Sequence, residues 1–327
     1  MGLQMPRMKQ LEKLDGFGNV KMIEVDRPEP GTGQLLVRVN RSLISRGSEL
    51  FRRYVLEEAV SPDIMGYSDA GEVVEVGPDT DWFPVGQRVM VNAPHAQYVL
   101  ANTSGRRKLA FPLPDAMTFE MATFLPLTTS SVMWMRSSPI EPGQTAVILG
   151  QGIVGCLCAQ IIRERNPGRV IVVDAQTLRC EIAGKLGPDE VINVSETDSV
   201  AEVKRLTDGK GADLVVECVG GNAGIQSFEQ AQRMLAPGGA IHLIAKYQGG
   251  PLPLDGDSFM NKQLVAGIRI DQPRETCMAE AADMLIDGRV KVSDLITHRL
   301  PWEETPNAYH LLYEKPGEAL GVILEWD

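Results

Sequence analysis

Through the first third of the chain, apolar and polar positions alternate in short bursts. QLLVRVNRSLIS (34–45) and AGEVVEVG (70–77) have the period-two or fully apolar character of strands, and VGQRVMVNAPHAQYVLAN (85–102) reads as a strand, a turn and a second strand. Pro28, Pro30, Gly31, Gly33, Pro84, Gly86 and Pro94 punctuate the region. Short strands so interrupted predict a small barrel-like β domain.

Near Pro126 the pattern changes. TAVILG (145–150) is a short apolar strand, and GIVGCLCAQIIRERN follows with helical spacing. RVIVVD (169–174), EVINV, ADLVVECVGG and AIHLIA predict further strands. Between them QTLRCEIAGKLG, VAEVKRLTDG and GIQSFEQAQRMLAPGG predict helices with glycine stop signals. Apolar strands without alternation are buried on both faces, which implies a parallel sheet covered by helices. The tail adds the helix CMAEAADMLIDGRV, the segment ITHRLPWEETPNAYHLLYE and a last strand, ALGVILEW.

A chain of 327 residues suits two domains of ordinary size. A formal charge of −11 repels phosphate backbones, so nucleic acid is not expected as a partner, and acidity fits a cytoplasmic protein. No apolar run approaches the roughly 20 residues that span a bilayer, so no membrane partner is expected. The start, MGLQMPRMKQLEKLDGFG, lacks the apolar core of a signal peptide. Pro6 stands where a myristoylation motif needs Ser or Thr, so an unmodified start is expected. Cys156, Cys158, Cys180, Cys218 and Cys277 lie mostly in apolar or helical stretches and read as reduced thiols in a reducing compartment. No C-x-x-C pair is present, which speaks against a structural zinc lobe or a redox dithiol.

The strongest motif is Gly150-Gln151-Gly152-Ile153-Val154-Gly155. It follows a predicted strand and opens a predicted helix. A second strand then ends in Asp174, about 20 residues past the motif, where a dinucleotide fold places an acid. Gly150 makes the tight turn, Gly152 admits the pyrophosphate and Gly155 lets helix and strand pack closely. The amides at the helix start, around Ile153 and Val154, face the anion. A carboxylate at Asp174 accepts ribose hydroxyls and repels a 2′-phosphate, so NAD(H) is expected over NADP(H). Arg179 is expected beside the adenine.

With these residues in place, the chain resembles the medium-chain dehydrogenase/reductases. The resemblance covers nearly the whole length and is carried by PEPGTGQLLVRV, GYSDAGEVVEVG, VGQRVMV, HAQYVLA, EPGQTAVILGQGIVG, GADLVVECVGG, LAPGGAIHLIA, ITHRLPWEETPNAYHLL and KPGEALGVILE. It implies a GroES-like β-barrel catalytic domain built from residues 1–127 and 268–327. It also implies a Rossmann doubly wound parallel sheet over 128–267, and a homodimer joined through the Rossmann sheets. Cys218, Val219 and Gly220 then line the cofactor at one strand end, and Ile244, Ala245 and Lys246 do so at the next.

Zinc-dependent members of that family take ligands from a GICGTD-like loop, from the His and Glu of a GHE loop, and from a site near the domain junction. This chain reads SLISRGSEL, Gly66-Tyr67-Ser68 and LPLTTSSVMW at those places, and no Cys precedes Cys156. A catalytic zinc needs about three N, O or S protein ligands, so none is expected. Without metal, hydroxyl or imidazole donors must stabilise the oxygen on which charge develops. The resemblance puts Ser48 at the proton-relay position and Tyr67 in place of the ligating His, with His95 a third candidate. It also puts Glu49 in a salt bridge with Arg46 or Arg52, and Tyr54 in the pocket lining. SRGSE resembles the S-x-G-T-E loop of the bacteriochlorophyllide dehydrogenase-like branch, while absence of zinc resembles the quinone oxidoreductase-like branch. The favoured reading is a zinc-independent NAD(H)-dependent interconversion of a secondary alcohol and a ketone on a small, apolar substrate. The alternatives are an NAD(P)H-dependent enoyl or quinone reductase and a non-catalytic dinucleotide-binding or sensor protein.

Overall fold

The computed structural model describes residues 6–80, 82–105, 109–247, 250–268 and 273–326. The start at Met1 and Gly2, read above as unmodified, lies outside them. The chain forms two compact units, Met1–Pro126 with Ile296–Asp327, and Leu127–Leu295.

The first unit opens with a hairpin, β1 (Arg7–Lys13) against β2 (Val20–Asp26). Then come β3 (Gln34–Leu43), a π-helical segment (Arg46–Tyr54), β4 (Asp69–Val76), β5 (Arg88–Val91), β6 (Tyr98–Asn102) and β7 (Ala110–Pro112). Helix α1 (Phe119–Ser137) carries Pro126, where this part of the unit ends.

The second unit continues with β8 (Thr145–Leu149), α2 (Ile153–Ile161), β9 (Arg169–Asp174), α3 (Thr177–Lys185), β10 (Glu190–Asn193) and α4 (Ser199–Leu206). It is completed by β11 (Ala212–Glu217), α5 (Gly224–Met234), β12 (Leu235–Leu243), β13 (Gln263–Ala266) and α6 (Arg274–Ile286). Its six strands run in the order β10-β9-β8-β11-β12-β13, and every pair is parallel. Chain order reverses between β8 and β11. Open α/β sheets bind ligands at the carboxyl ends of strands at such a switch point. Val147, Leu149, Ile171, Val173, Val215 and Ile241 are buried, as strands covered on both faces require.

The chain then returns to the first unit as β14 (Ile296–Pro301), α7 (Thr305–Glu314) and β15 (Gly321–Glu325). These complete a seven-stranded sheet, β14-β15-β3-β4-β5-β7 with β6 on β3, that is antiparallel except for β14 on β15. This sheet domain and the parallel sheet are the two fold types expected. Among the described residues no helix is long and apolar enough to cross a membrane.

Three local differences are instructive. Helix α1 has no counterpart in the sequence reading. Strand β12 starts at Leu235, inside what reads as a helix stop: Leu235 pairs with Ala212, and the register shifts before Leu214 pairs with Ala240. The Pro237-Gly238-Gly239 run is thus a bulge within a strand, with Gly238 at φ +80°. Finally, the second unit extends to Leu295 rather than to 267. Helix α6 buries Cys277, Ala281, Met284 and Leu285, and its Glu280 pairs with Arg136 of α1.

Candidate active site

In the second unit the glycine turn has the geometry its sequence demands. Gly150 lies at φ +87°, and a Cβ there would meet the amide nitrogen of Val219 at 2.9 Å. A Cβ on Gly155 would lie 1.7 Å from the Gly150 carbonyl oxygen, so only glycine permits this approach of helix to strand. A Cβ on Gly152 would meet nothing within 4 Å. Gly152 caps α2 without any side-chain hydrogen bond to the helix amides. The open space and uncapped amides fit a pyrophosphate.

Asp174 is nearly buried at the end of β9. Its Oδ2 accepts from the amide of Gln151 at 2.6 Å and its Oδ1 from that of Gln176 at 2.8 Å. The carboxylate expected to meet a ribose therefore also fastens the turn. Each oxygen keeps a second lone pair for a hydroxyl donor. Arg179 Nη1 stands 3.9 Å from Asp174 Oδ2. Cys218 and Val219 lie against the Gly150 turn, and a Cβ on Gly220 would meet the Ala245 methyl at 3.1 Å. Ile244 and Ala245 donate their amides to the Glu217 carbonyl, and Lys246 follows, exposed. The expected cofactor residues thus gather at adjacent strand ends of one unit.

In the first unit, Gly66 at φ +114° delivers Tyr67; a Cβ on Gly66 would meet the amide nitrogen of His95 at 2.7 Å. The Tyr67 phenol donates to Ser45 Oγ at 2.6 Å and also hydrogen-bonds the Ser48 hydroxyl. Tyr67 and Ser48 are half-buried. Burial pushes the phenol up to about 12, against the opposing pull of the Ser45 bond. Tyr67 is therefore a neutral donor at physiological pH. π-Helical turns recur at functional sites because they re-aim side chains, and this one starts directly after Ser45.

His95 is placed differently from expectation. It has no exposed surface, and both ring nitrogens are engaged: Nδ1 with Ser42 Oγ at 2.9 Å and Nε2 with Glu49 Oε2 at 3.1 Å. Trp326 Nε1 donates to the same Ser42 oxygen at 2.9 Å, which leaves the Ser42 hydrogen for His95 Nδ1 and puts the imidazole hydrogen on Nε2, facing Glu49. His95 is a core residue, and its catalytic assignment is corrected. Glu49 sits at the centre of this buried network. It accepts from His95, from the Tyr309 phenol and from the Ser45 amide at 2.8 Å. Although burial opposes its charge, these donors hold its carboxyl below the ordinary range. Tyr54 is also core, 4% exposed and stacked on Tyr309. Beside them Asp69 is fully enclosed; burial and the Glu49 charge raise its carboxyl well above the usual carboxylate range.

These donors do not suit zinc. Tyr67, Ser68, Ser45 and Ser48 offer neutral hydroxyls, and Glu49 and His95 are spent on each other. Among the described residues, no three His, Cys, Asp or Glu side chains stand together to hold a metal ion. No local pattern in the sequence marks Ser45, Glu217 or Tyr247. All three emerge only once distant segments meet.

The model of the alcohol dehydrogenase GroES-like domain matches residues 31–121, and that of the zinc-binding dehydrogenase matches 154–285. A sorbitol dehydrogenase of Bacillus subtilis (strain 168) is 26% identical over 302 residues, 83% of this chain and 82% of that protein. Among solved structures, one described as a short chain alcohol dehydrogenase, from Escherichia coli CFT073 and in complex with NADH, has a TM-score of 0.82 at 19% identity, covering 98% of this chain and 99% of that one. A structure described as a zinc-binding dehydrogenase, from Sinorhizobium meliloti 1021 and bound to NADP, has a TM-score of 0.82 at 22% identity, covering 98% of this chain and 100% of that one. With both domain models in order along the chain and both sheets of the right topology, the chain belongs to the zinc-type alcohol dehydrogenase-like proteins of the medium-chain dehydrogenase/reductase superfamily, a superfamily of oxidoreductases.

Proposed function

We propose that this oxidoreductase interconverts a secondary alcohol and a ketone with NAD(H), using hydroxyl groups where relatives use zinc. The observation that carries the reading is the Tyr67–Ser45–Ser48 cluster, a half-buried phenol held neutral between two hydroxyls. A bound nicotinamide dinucleotide supplies the hydride chemistry. In the reducing direction the Tyr67 hydrogen turns from Ser45 Oγ to the substrate carbonyl oxygen and passes to it as negative charge develops there. Ser48 and Ser45 then return a proton to the phenol from solvent. In the oxidising direction the same chain carries the alcohol proton out. The neutral oxygens of the cluster hold the substrate oxygen without a cation.

Asp174 supports NAD(H) over NADP(H), because a 2′-phosphate beside its carboxylate would be repelled. The five free cysteines agree with a reducing cytoplasm, and the outer edge of β13, with Leu264 44% exposed, offers a strand for pairing with a second copy. Light scattering would report that dimer.

The test is a panel of small apolar secondary alcohols, ketones, enones and quinones with each cofactor, before and after exhaustive chelation, alongside metal analysis. Alcohol–ketone turnover with NAD(H) that survives chelation is expected. Reduction of enones or quinones without any alcohol oxidation would overturn the chemistry. Activity restored only by added zinc would overturn the role of the hydroxyls.

A further inference from the structure

Glu217 ends β11 with no exposed surface. Its Oε1 accepts from the Val219 amide at 3.0 Å and from Ser227 Oγ at 2.8 Å, while Oε2 accepts from the Tyr247 phenol. The three donors come from three segments: the loop after β11, the helix α5 and the chain following β12.

The surroundings are shaped around Tyr247. Gly221 bridges to it, and the Gly221 amide donates to the Lys246 carbonyl at 2.8 Å. A Cβ on Gly224 would lie 2.5 Å from Tyr247 Cδ1, and one on Gly220 would lie 2.8 Å from the Lys246 carbonyl oxygen. Both glycines make room for this segment. Cys218 and Val219 in turn rest against Gly150, so one carboxyl links a half-buried phenol to the loop bordering the phosphate turn.

The sheet does not need this hub, since β11 and β12 already pair from Leu214↔Ala240 to Glu217↔Leu243. A buried carboxyl is costly to desolvate, and packing alone would be served as well by an apolar side chain. The arrangement therefore points to geometry. In a doubly wound sheet the second mononucleotide half of a dinucleotide lies over the strand ends beyond the switch point, here β11 and β12.

We propose that Glu217 and Tyr247 form a latch that positions the nicotinamide half of the dinucleotide by fixing the backbone of residues 218–221. Tyr247 is then a positioning residue acting through Glu217. The inference rests on the dinucleotide reading of this unit.

The test compares NADH with ADP-ribose, which lacks the nicotinamide ring, by calorimetry on the full chain and its Tyr247→Phe and Glu217→Gln variants. Loss of one hydrogen bond predicts NADH binding about fivefold weaker in Tyr247→Phe, with ADP-ribose binding within about twofold of wild type. Glu217→Gln replaces an acceptor of three donors and shifts the same ratio at least as far. Either variant that binds ADP-ribose reports a folded unit. An unchanged NADH-to-ADP-ribose ratio in both variants, or equal weakening of both ligands, overturns the latch. Wild-type protein that binds neither NADH nor NADPH would instead overturn the dinucleotide reading.

Discussion

Replacing Tyr67 by Phe deletes one oxygen and leaves the ring in place. The structure sets two magnitudes far apart. For stability, the change removes a neutral hydrogen bond to Ser45 and a second contact to Ser48, worth about 1 kcal/mol net, or a shift of a few degrees in Tm. For catalysis, if this phenol is the donor at the substrate oxygen, its loss removes a preorganised interaction worth about 100- to 1,000-fold in kcat. The assay is steady-state turnover of the best alcohol–ketone pair in both directions, with thermal unfolding of the same samples. Wild-type ketone reduction should stay level from neutral pH to above 10, because burial holds the Tyr67 proton up to about 12. Alcohol oxidation, which must shed that proton, should climb across the same range, and the variant should lose the climb. The raised phenol also makes folding stability fall as pH rises from the unfolded value near 10 towards 12, a loss the Phe variant escapes. A variant with kcat within about threefold of wild type and an unchanged pH profile would refute the assignment and leave Tyr67 a packing residue.

Three further outcomes follow from the geometry. Gly155→Ala should weaken NADH binding at least tenfold by fluorescence titration, since its Cβ would intrude to 1.7 Å on the Gly150 carbonyl oxygen; unchanged binding would mean that this turn does not hold the cofactor. Asp174→Ser should move the NADPH-to-NADH preference towards NADPH by about tenfold or more, and an unmoved ratio would remove Asp174 from ribose recognition. His95→Ala should cost about 3–5 kcal/mol in denaturant unfolding, because it strips a donor from a buried carboxylate. The Glu49 contribution should be present above its unfolded pKa and disappear as pH falls through and below it, given a depressed folded value. A cost under about 1 kcal/mol would show that Tyr309 and Ser45 suffice.

The parallel sheet was legible because strands covered on both faces leave unbroken apolar runs such as AVIL and VIVV, with glycine marking the turns. Helix α1 was not, because it carries no stripe. Thr123, Thr128, Thr129 and Ser131 are as buried as Phe124 and Leu125, and Pro126 interrupts the propensity. Two of its hydroxyls bond back along the helix, Thr123 to the Glu120 carbonyl at 2.8 Å and Ser137 to the Met133 carbonyl at 2.8 Å, which lets polar residues stand at helical positions that no apolar stripe marks. The tight glycine turn was legible because one compact motif, Gly150 to Gly155, encodes it. Tyr67 and Ser48 were visible only through family position. His95 misled because an imidazole near a loop looks like chemistry, whereas its partners Ser42, Glu49 and Trp326 lie in segments that spacing cannot connect.

The run of hydrogen bonds from Trp326 through Ser42 and His95 to Glu49, and on to the Ser45 amide, also orders events in time. The dinucleotide unit is one uninterrupted stretch of chain, complete once Leu295 has been made. The hydroxyl-bearing unit is interrupted, and it waits for Trp326 before the support beneath Ser45 is whole. During synthesis, capacity for the coenzyme therefore precedes capacity for chemistry. A nascent or prematurely terminated chain would pass through a stage in which it can sequester the dinucleotide but cannot turn it over.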